Sequence, residues 1–246
     1  MGSAIVHDMK RSLPILLSIV LLGFANGGSS LPVRVAACIV DPFKEPITLH
    51  LKNDSGQVFG NIGALKGWME RRNQTLLFAM NGGMYMADHS PVGLYIENGK
   101  IIRKIDRRTE GSGNFLLQPN GVFGIMDDGS AFVRRTADVT NMLNVRYATQ
   151  SGPMLLVDGA MNKLFTPGSK NLNIRNGVGL LADGRVLFGI SREPVNFHDF
   201  ASWFKEQGCA NALYLDGSVS KAFIREEGIA QMEGDLGVLI AVIVSN

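Results

Sequence analysis

The chain has 246 residues, of which 46% are hydrophobic and 19% charged, with a formal net charge of +2. That balance excludes intrinsic disorder, and the length supplies one large core or two small ones. No basic run exceeds the pairs Arg103-Lys104 and Arg107-Arg108, which argues against nucleic-acid binding.

In chain order, the first element is a leader. Lys10-Arg11 precede the apolar run Leu13 to Ala25, and Gly23 and Ala25 occupy the small-residue positions that a signal peptidase needs. The run is short for a bilayer span. Residues 1–25 are therefore expected to be a secretory signal, with residues 1–8 either an upstream extension or a mis-called start, and residues 26–246 a single exported domain without a stable membrane span. Removing Lys10, Arg11 and Asp8 leaves that domain almost neutral. In an oxidising compartment Cys38, in the strand-like "VRVAACIV", and Cys209, after a helical segment, are either a disulfide or two buried thiols.

Ile62 to Asn73 places Ile62, Leu65 and Met69 on one helical face. The apolar run Leu76 to Met80 then ends in Asn81-Gly82-Gly83 and continues with Met84-Tyr85-Met86. Locally this is either a turn or a strand end at which glycine lets a ligand approach the backbone. Four stretches place Asn-Gly or Asp-Gly between apolar runs, with Gly99, Gly129, Gly159 and Gly184 supplying positive φ: these are β-hairpins. A second helix is predicted over Asn196 to Gln207, with Phe197, Phe200, Ala201 and Phe204 on one face and Gly208 as its stop. Val238 to Val244 reads as a central strand. With no linker dividing it, the chain is predicted to be one α+β domain, largely antiparallel sheet with several hairpins and a few helices.

Phosphate-loop, His-Glu-x-x-His and Gly-x-Ser-x-Gly motifs are absent from the sequence. His50, His89 and His198 are too scattered to suggest a zinc site. What remains is a set of polar, glycine-flanked breaks at strand ends: Asn81-Gly82-Gly83, Gln118 to Gly121, Gln150 to Pro153, Ile174 to Gly177, Ser191 to Asn196 and Tyr214 to Ser218. Each alone reads as a turn. Together they gather amides, an arginine and two carboxylates, a set suited to a polar, oxygen-rich ligand such as a sugar or phosphate.

The order Asn-Gly-Gly-Met-Tyr, Ser-Gly-Pro, Arg-Asn-Gly before an Asp-Gly hairpin, then Leu-Asp-Gly-Ser resembles the phosphodiester glycosidase family. That family includes the uncovering enzyme of lysosomal glycoproteins, and "SPVGLYIENGK", "ATQSGPMLLVDG" and "EPVNF" resemble a bacterial exported branch. The resemblance runs from about Leu76 to the C-terminus. It implies hydrolysis of a sugar-1-phosphodiester on a glycan or sugar-phosphate, in the periplasm or outside the cell. In that reading Asp216 is base or nucleophile, Glu193 the second carboxylate, Arg175 a planar two-point phosphate contact, and Asn81 the holder of a sugar hydroxyl or the attacking water. Gly82, Gly83, Tyr85, Asn120, Ser151, Gly152, Asn176, Gly217 and Ser218 line the substrate, Tyr85 as a wall for a sugar face. No cofactor is implied, and no ligand spacing commits the chain to a divalent cation. Where the family runs Asp-Gly-Gly-Gly-Ser, this chain has Asp216-Gly217-Ser218-Val219-Ser220, with a valine expected to intrude on the pocket. That departure leaves a second reading open, a non-catalytic periplasmic glycan-binding or accessory protein on the same scaffold.

Overall fold

The computed structural model describes residues 34–216 and 219–245. The expected leader, Gly217 and Ser218 lie outside the described residues.

Three sheets, antiparallel at every pairing, surround one core. The first is ordered β1 (Val35–Val40), β12 (Val186–Ser191), β11 (Asn176–Leu180), β13 (Asn211–Tyr214), β9 (Met154–Val157), β10 (Ala160–Met161). The second runs β15 (Ile229–Ala230), β14 (Ala222–Ile224), β3 (Gln74–Asn81), β16 (Leu239–Ser245), β2 (Ile47–His50). The third runs β5 (Lys100–Arg103), β4 (Tyr95–Glu97), β8 (Val145–Ser151), β6 (Gly121–Met126), β7 (Ala131–Arg135). Phe188 of the first sheet stacks on Phe78 of the second at 4.6 Å and meets Phe123 of the third edge-on at 5.8 Å. One aromatic ring from each sheet thus locks the centre, in the offset and edge geometries that aromatic rings prefer. This is the α+β, mostly antiparallel domain that the hairpin signals predict.

All four predicted hairpins form, pairing β4 with β5, β6 with β7, β9 with β10 and β11 with β12. Their glycines have φ between +77° and +89°. Asn98 and Asp158 are left-handed as well, so those two turns carry positive φ at both central residues. The C-terminal strand is central, with β3 on one side and β2 on the other.

Helix α2 (Phe197–Glu206) buries the predicted face, and Asn196 caps it by accepting from the Asp199 amide at 2.8 Å. It lies on a face of the first sheet where glycine replaces side chains. A Cβ on Gly189 would sit 2.7 Å from the Trp203 ring, and one on Gly179 2.5 Å from Cys209 Sγ. The helix approaches closely because those strands are bare there. Helix α1 (Ile62–Glu70) ends three residues earlier than the periodicity suggests, because Asn73 turns left-handed at φ 58° and the chain leaves for β3.

The cysteines do not pair. Cys38 packs against the central core and Cys209 into the cluster beneath α2, on opposite faces of the first sheet. Burial pushes both thiols up to about 12, and Glu226 and Glu45 add to the rise at Cys38. Iodoacetamide at pH 8 should therefore label the native protein slowly and the denatured protein fast. A linked Cys38–Cys209 peptide in non-reducing mapping would contradict this arrangement.

His50, at the end of β2, lies among Phe59 and Trp68, and its Nε2 hydrogen bonds Thr48 Oγ1 at 2.9 Å. Burial lowers its pKa from 6.5 to about 4. The unfolded chain takes up this proton below about pH 6.5 and the folded chain does not, so stability falls as pH drops from 6.5 towards 4. His50→Gln should remove about 2 kcal/mol of the stability difference between pH 7.5 and pH 5. Urea titrations of both proteins at the two pH values measure it, and identical pH slopes would remove His50 as the cause.

Candidate active site

The three sheets meet at a single peptide. The Leu215 carbonyl, just past the end of β13 in the first sheet, accepts from Gly83 N, beyond β3 of the second, at 3.0 Å. It also accepts from Ser151 Oγ, at the end of β8 of the third, at 2.8 Å. The Leu215 amide donates to Asn176 O at 3.2 Å. The next residue is Asp216, which is 4% exposed and so enters the site from a backbone clamped on both sides.

Asn81 closes the arrangement. Its Nδ2 donates to Asp216 Oδ2 and, at 2.6 Å, to Val219 O. Its Oδ1 accepts from Lys221 N at 2.8 Å and from Asn176 Nδ2 at 3.1 Å. Asn176 Nδ2 also donates to Asn81 O at 2.7 Å, and Ser220 Oγ donates to Asn176 Oδ1 at 3.3 Å. Asp216, Val219 and Lys221 thus all bond to this one buried amide. Both Nδ2 hydrogens and both Oδ1 lone pairs of Asn81 are engaged, which leaves none for a sugar hydroxyl or a water. The Asn81 amide thus holds the Asp216 carboxylate and the Val219 and Lys221 backbone. Asn176 is likewise spent on Asn81 and Ser220, so it supports the site instead of lining substrate.

Two phenols flank the carboxylate. Burial raises the Tyr85 hydroxyl, and the charges of Asp216 and Asp235 add to the rise. Tyr214, fully buried two residues before Asp216, is pushed up to about 12 by burial, the Arg175 guanidinium opposing and Asp216 reinforcing the effect. The Tyr85 hydroxyl donates to Asp235 O, its ring lies parallel to His89 at 5.8 Å, and Gly237 packs against its base. It is half-buried beside the site, where a wall residue would stand.

Arg175 departs from expectation. It is fully buried, with Nε donating to Val195 O at 2.8 Å and Nη2 to Asn171 O at 2.9 Å, and its guanidinium lies 3.7 Å over the Phe197 ring. Burial lowers its pKa. Only Nη1 lacks a hydrogen-bond partner, and it too is enclosed. A planar two-point contact with phosphate has no free edge to use. Arg175 instead ties the Asn171 turn to the Val195 loop beside Tyr214.

The glycines also have a different explanation. A Cβ on Gly82 would lie 2.4 Å from Ile240 Cδ1, and one on Gly83, at φ +83°, 2.1 Å from Thr149 Oγ1. Their missing side chains make room for the core and the neighbouring sheet, not for a ligand. Asn120 Nδ2 donates to Phe115 O at 3.0 Å, and a Cβ on Gly152 would sit 2.7 Å from Asn120 Cβ, so those two residues pack on each other. Glu193 is exposed and makes no hydrogen bond or ion pair with the described residues. Val219, partly buried, packs its side chain against the cluster under α1 that holds Phe59, Ile62 and Leu65. Among the described residues no group of three or more His, Cys, Asp or Glu gathers to hold a metal ion, and no helix is long and apolar enough to cross a membrane. Thr149 lies outside the motifs, and Tyr214 and Ser220 entered only as flanks of the Asp216 motif. For Tyr214 a signal existed, since alternation along "YLD" sets it two positions from Asp216.

The chain belongs to the phosphodiester glycosidase family, whose sequence pattern matches residues 74–239 and so takes in Asn81, Ser151, Arg175 and Asp216. It is 33% identical over 225 residues to the uncharacterized protein YigE of Escherichia coli (strain K12), across 90% of this chain and 87% of that one. Among solved structures it shares a fold with the catalytic domain of zebrafish N-acetylglucosamine-1-phosphodiester alpha-N-acetylglucosaminidase, auto-inhibited by its pro-peptide. That match has a TM-score of 0.59 at 17% identity and covers 87% of this chain and 84% of that one. A putative exported protein from Burkholderia pseudomallei K96243 matches with a TM-score of 0.57 at 12% identity, over 85% of this chain and 73% of that one.

Proposed function

We propose that this protein is an exported hydrolase that cleaves a sugar-1-phosphodiester at the anomeric carbon, on an envelope or extracellular glycan. The observation that carries the reading is the buried Asp216 carboxylate, set by Asn81 and by the clamped Leu215 peptide within the family's own motif. A carboxylate fixed in this way loses little freedom in the transition state and suits a base or nucleophile. Water or Asp216 forms the new bond to the anomeric carbon as the carbon–oxygen bond to phosphate breaks. The electron pair leaves on a phosphate monoester that needs little protonation. A general acid is therefore dispensable, and the exposed Glu193 is given no part. Tyr85 is the candidate wall for the sugar.

The test is a panel of sugar-1-phosphodiesters offered to the purified domain, reading free sugar and phosphate monoester together. The two products should appear in equal amounts. Retention of the ligands without either product would favour the glycan-binding alternative and refute the hydrolase.

A further inference from the structure

A cavity of about 250 Å³ is lined by Lys52, Asp88, His89, Ser90, Glu97 and Arg103, among others, and its His89 ring stacks on Tyr85, whose hydroxyl feels the Asp216 charge. The charges in its wall are unequally engaged. Asp88 accepts from Ser90 N at 3.0 Å and Ser90 Oγ at 2.6 Å, while Glu97 accepts from the Tyr95 hydroxyl at 2.5 Å and from the Leu51 amide. Burial raises the Glu97 pKa, and its hydrogen bonds from Tyr95 and Leu51 oppose the rise. His89 bonds Asp235 at 2.5 Å, and its backbone is held left-handed at φ 63°. The ring itself is held by its bond to Asp235 and its stacking on Tyr85.

The two cations are different. Lys52 and Arg103 make no side-chain hydrogen bond or contact ion pair with the described residues. The carboxylate whose charge Arg103 reaches, Asp106, is already engaged by Arg108. Among the described residues the acids of the wall have hydrogen-bond partners, while its two bases, both exposed, have none. Their complement is an anion with several oxygen acceptors.

The geometry points to this cavity as a second subsite, one that holds a further anionic group, phosphate or carboxylate, on the part of the substrate beyond the cleaved linkage. This rests on the proposed glycosidase reading and narrows its substrate to a polyanionic chain, such as a repeating polyol or sugar phosphate, in place of a single neutral glycoside. Lys52 and Arg103 grip the anion beside the His89 ring.

The experiment follows the His89 ring resonances while sn-glycerol 3-phosphate is titrated into the wild-type chain, Asp216→Asn, and the double variant Lys52→Gln/Arg103→Gln. Saturable His89 shifts are expected in the first two, with the dissociation constant raised at least tenfold in the third at an unchanged melting temperature. Equal affinity in the double variant, or no His89 shift in the wild type, overturns the subsite. Turnover is measured separately on a methyl sugar-1-phosphate and on the same unit extended by a second phosphate. The double variant should raise KM only for the extended substrate. No turnover of either one by the wild type, with His89 binding intact, refutes the hydrolase and leaves the anion site standing.

Discussion

Asp216→Asn should lower turnover of a sugar-1-phosphodiester by about two orders of magnitude or more while leaving the melting temperature nearly unchanged. The asparagine oxygen can still accept from Asn81 Nδ2, and Lys221 N still donates to Asn81, so these contacts survive while the charge and basicity are lost. A neutral aryl glycoside of the same sugar should lose activity by a similar factor, because the lost group acts on the attacking side. Near-normal kcat on either substrate would take Asp216 out of the chemistry and reopen the assignment of Glu193.

Asn81→Asp is the sharper structural test. The side chain keeps its size, and its remaining oxygen still accepts from Lys221 N and Asn176 Nδ2. The former Nδ2 becomes an oxygen facing Asp216 Oδ2 and Val219 O, two acceptors that had each received a hydrogen. Two buried carboxylates in contact cannot both stay ionised, so one holds a proton to a higher pH than it would in the unfolded chain. A raised folded-state pKa contributes stability at low pH that is lost as pH rises. The variant should thus be about 3 kcal/mol less stable than the parent at pH 7 and recover part of that difference at pH 5. Urea unfolding at the two pH values reads the change. A difference independent of pH would mean that the two side chains do not share a proton and that the Asn81–Asp216 contact is not what holds the segment.

Local chemistry made much of this fold legible. Asn-Gly and Asp-Gly at the hairpins, the Asn196 cap and the apolar faces of both helices all act over a few residues, and each forms where its pattern predicts. The ordered motifs also brought Asn81, Ser151 and Asp216 onto one list, and the fold brings them to one place. Which atoms of those residues stay available was not legible, because that depends on partners far along the chain. Arg175 reads as a phosphate ligand until the Val195 and Asn171 carbonyls occupy it. Gly82 and Gly83 read as room for a ligand until Ile240 and Thr149 fill it. The cysteines read as a possible pair because sequence does not say which face of a sheet a thiol will meet.

The amide of Asn81 joins residues separated by 135 positions at Asp216 and by 95 at Asn176, and Ser151 reaches Leu215 across 64 more. No fragment shorter than residues 81–216 contains all the parts, and none of these contacts can form early through a local turn. Loop closure of that length is among the slowest events in forming a chain topology. Catalytic competence should therefore appear abruptly and last during refolding, after hairpin and helix signals are complete. Recovered turnover would then time the final closure of the three sheets more faithfully than any spectroscopic probe of secondary structure.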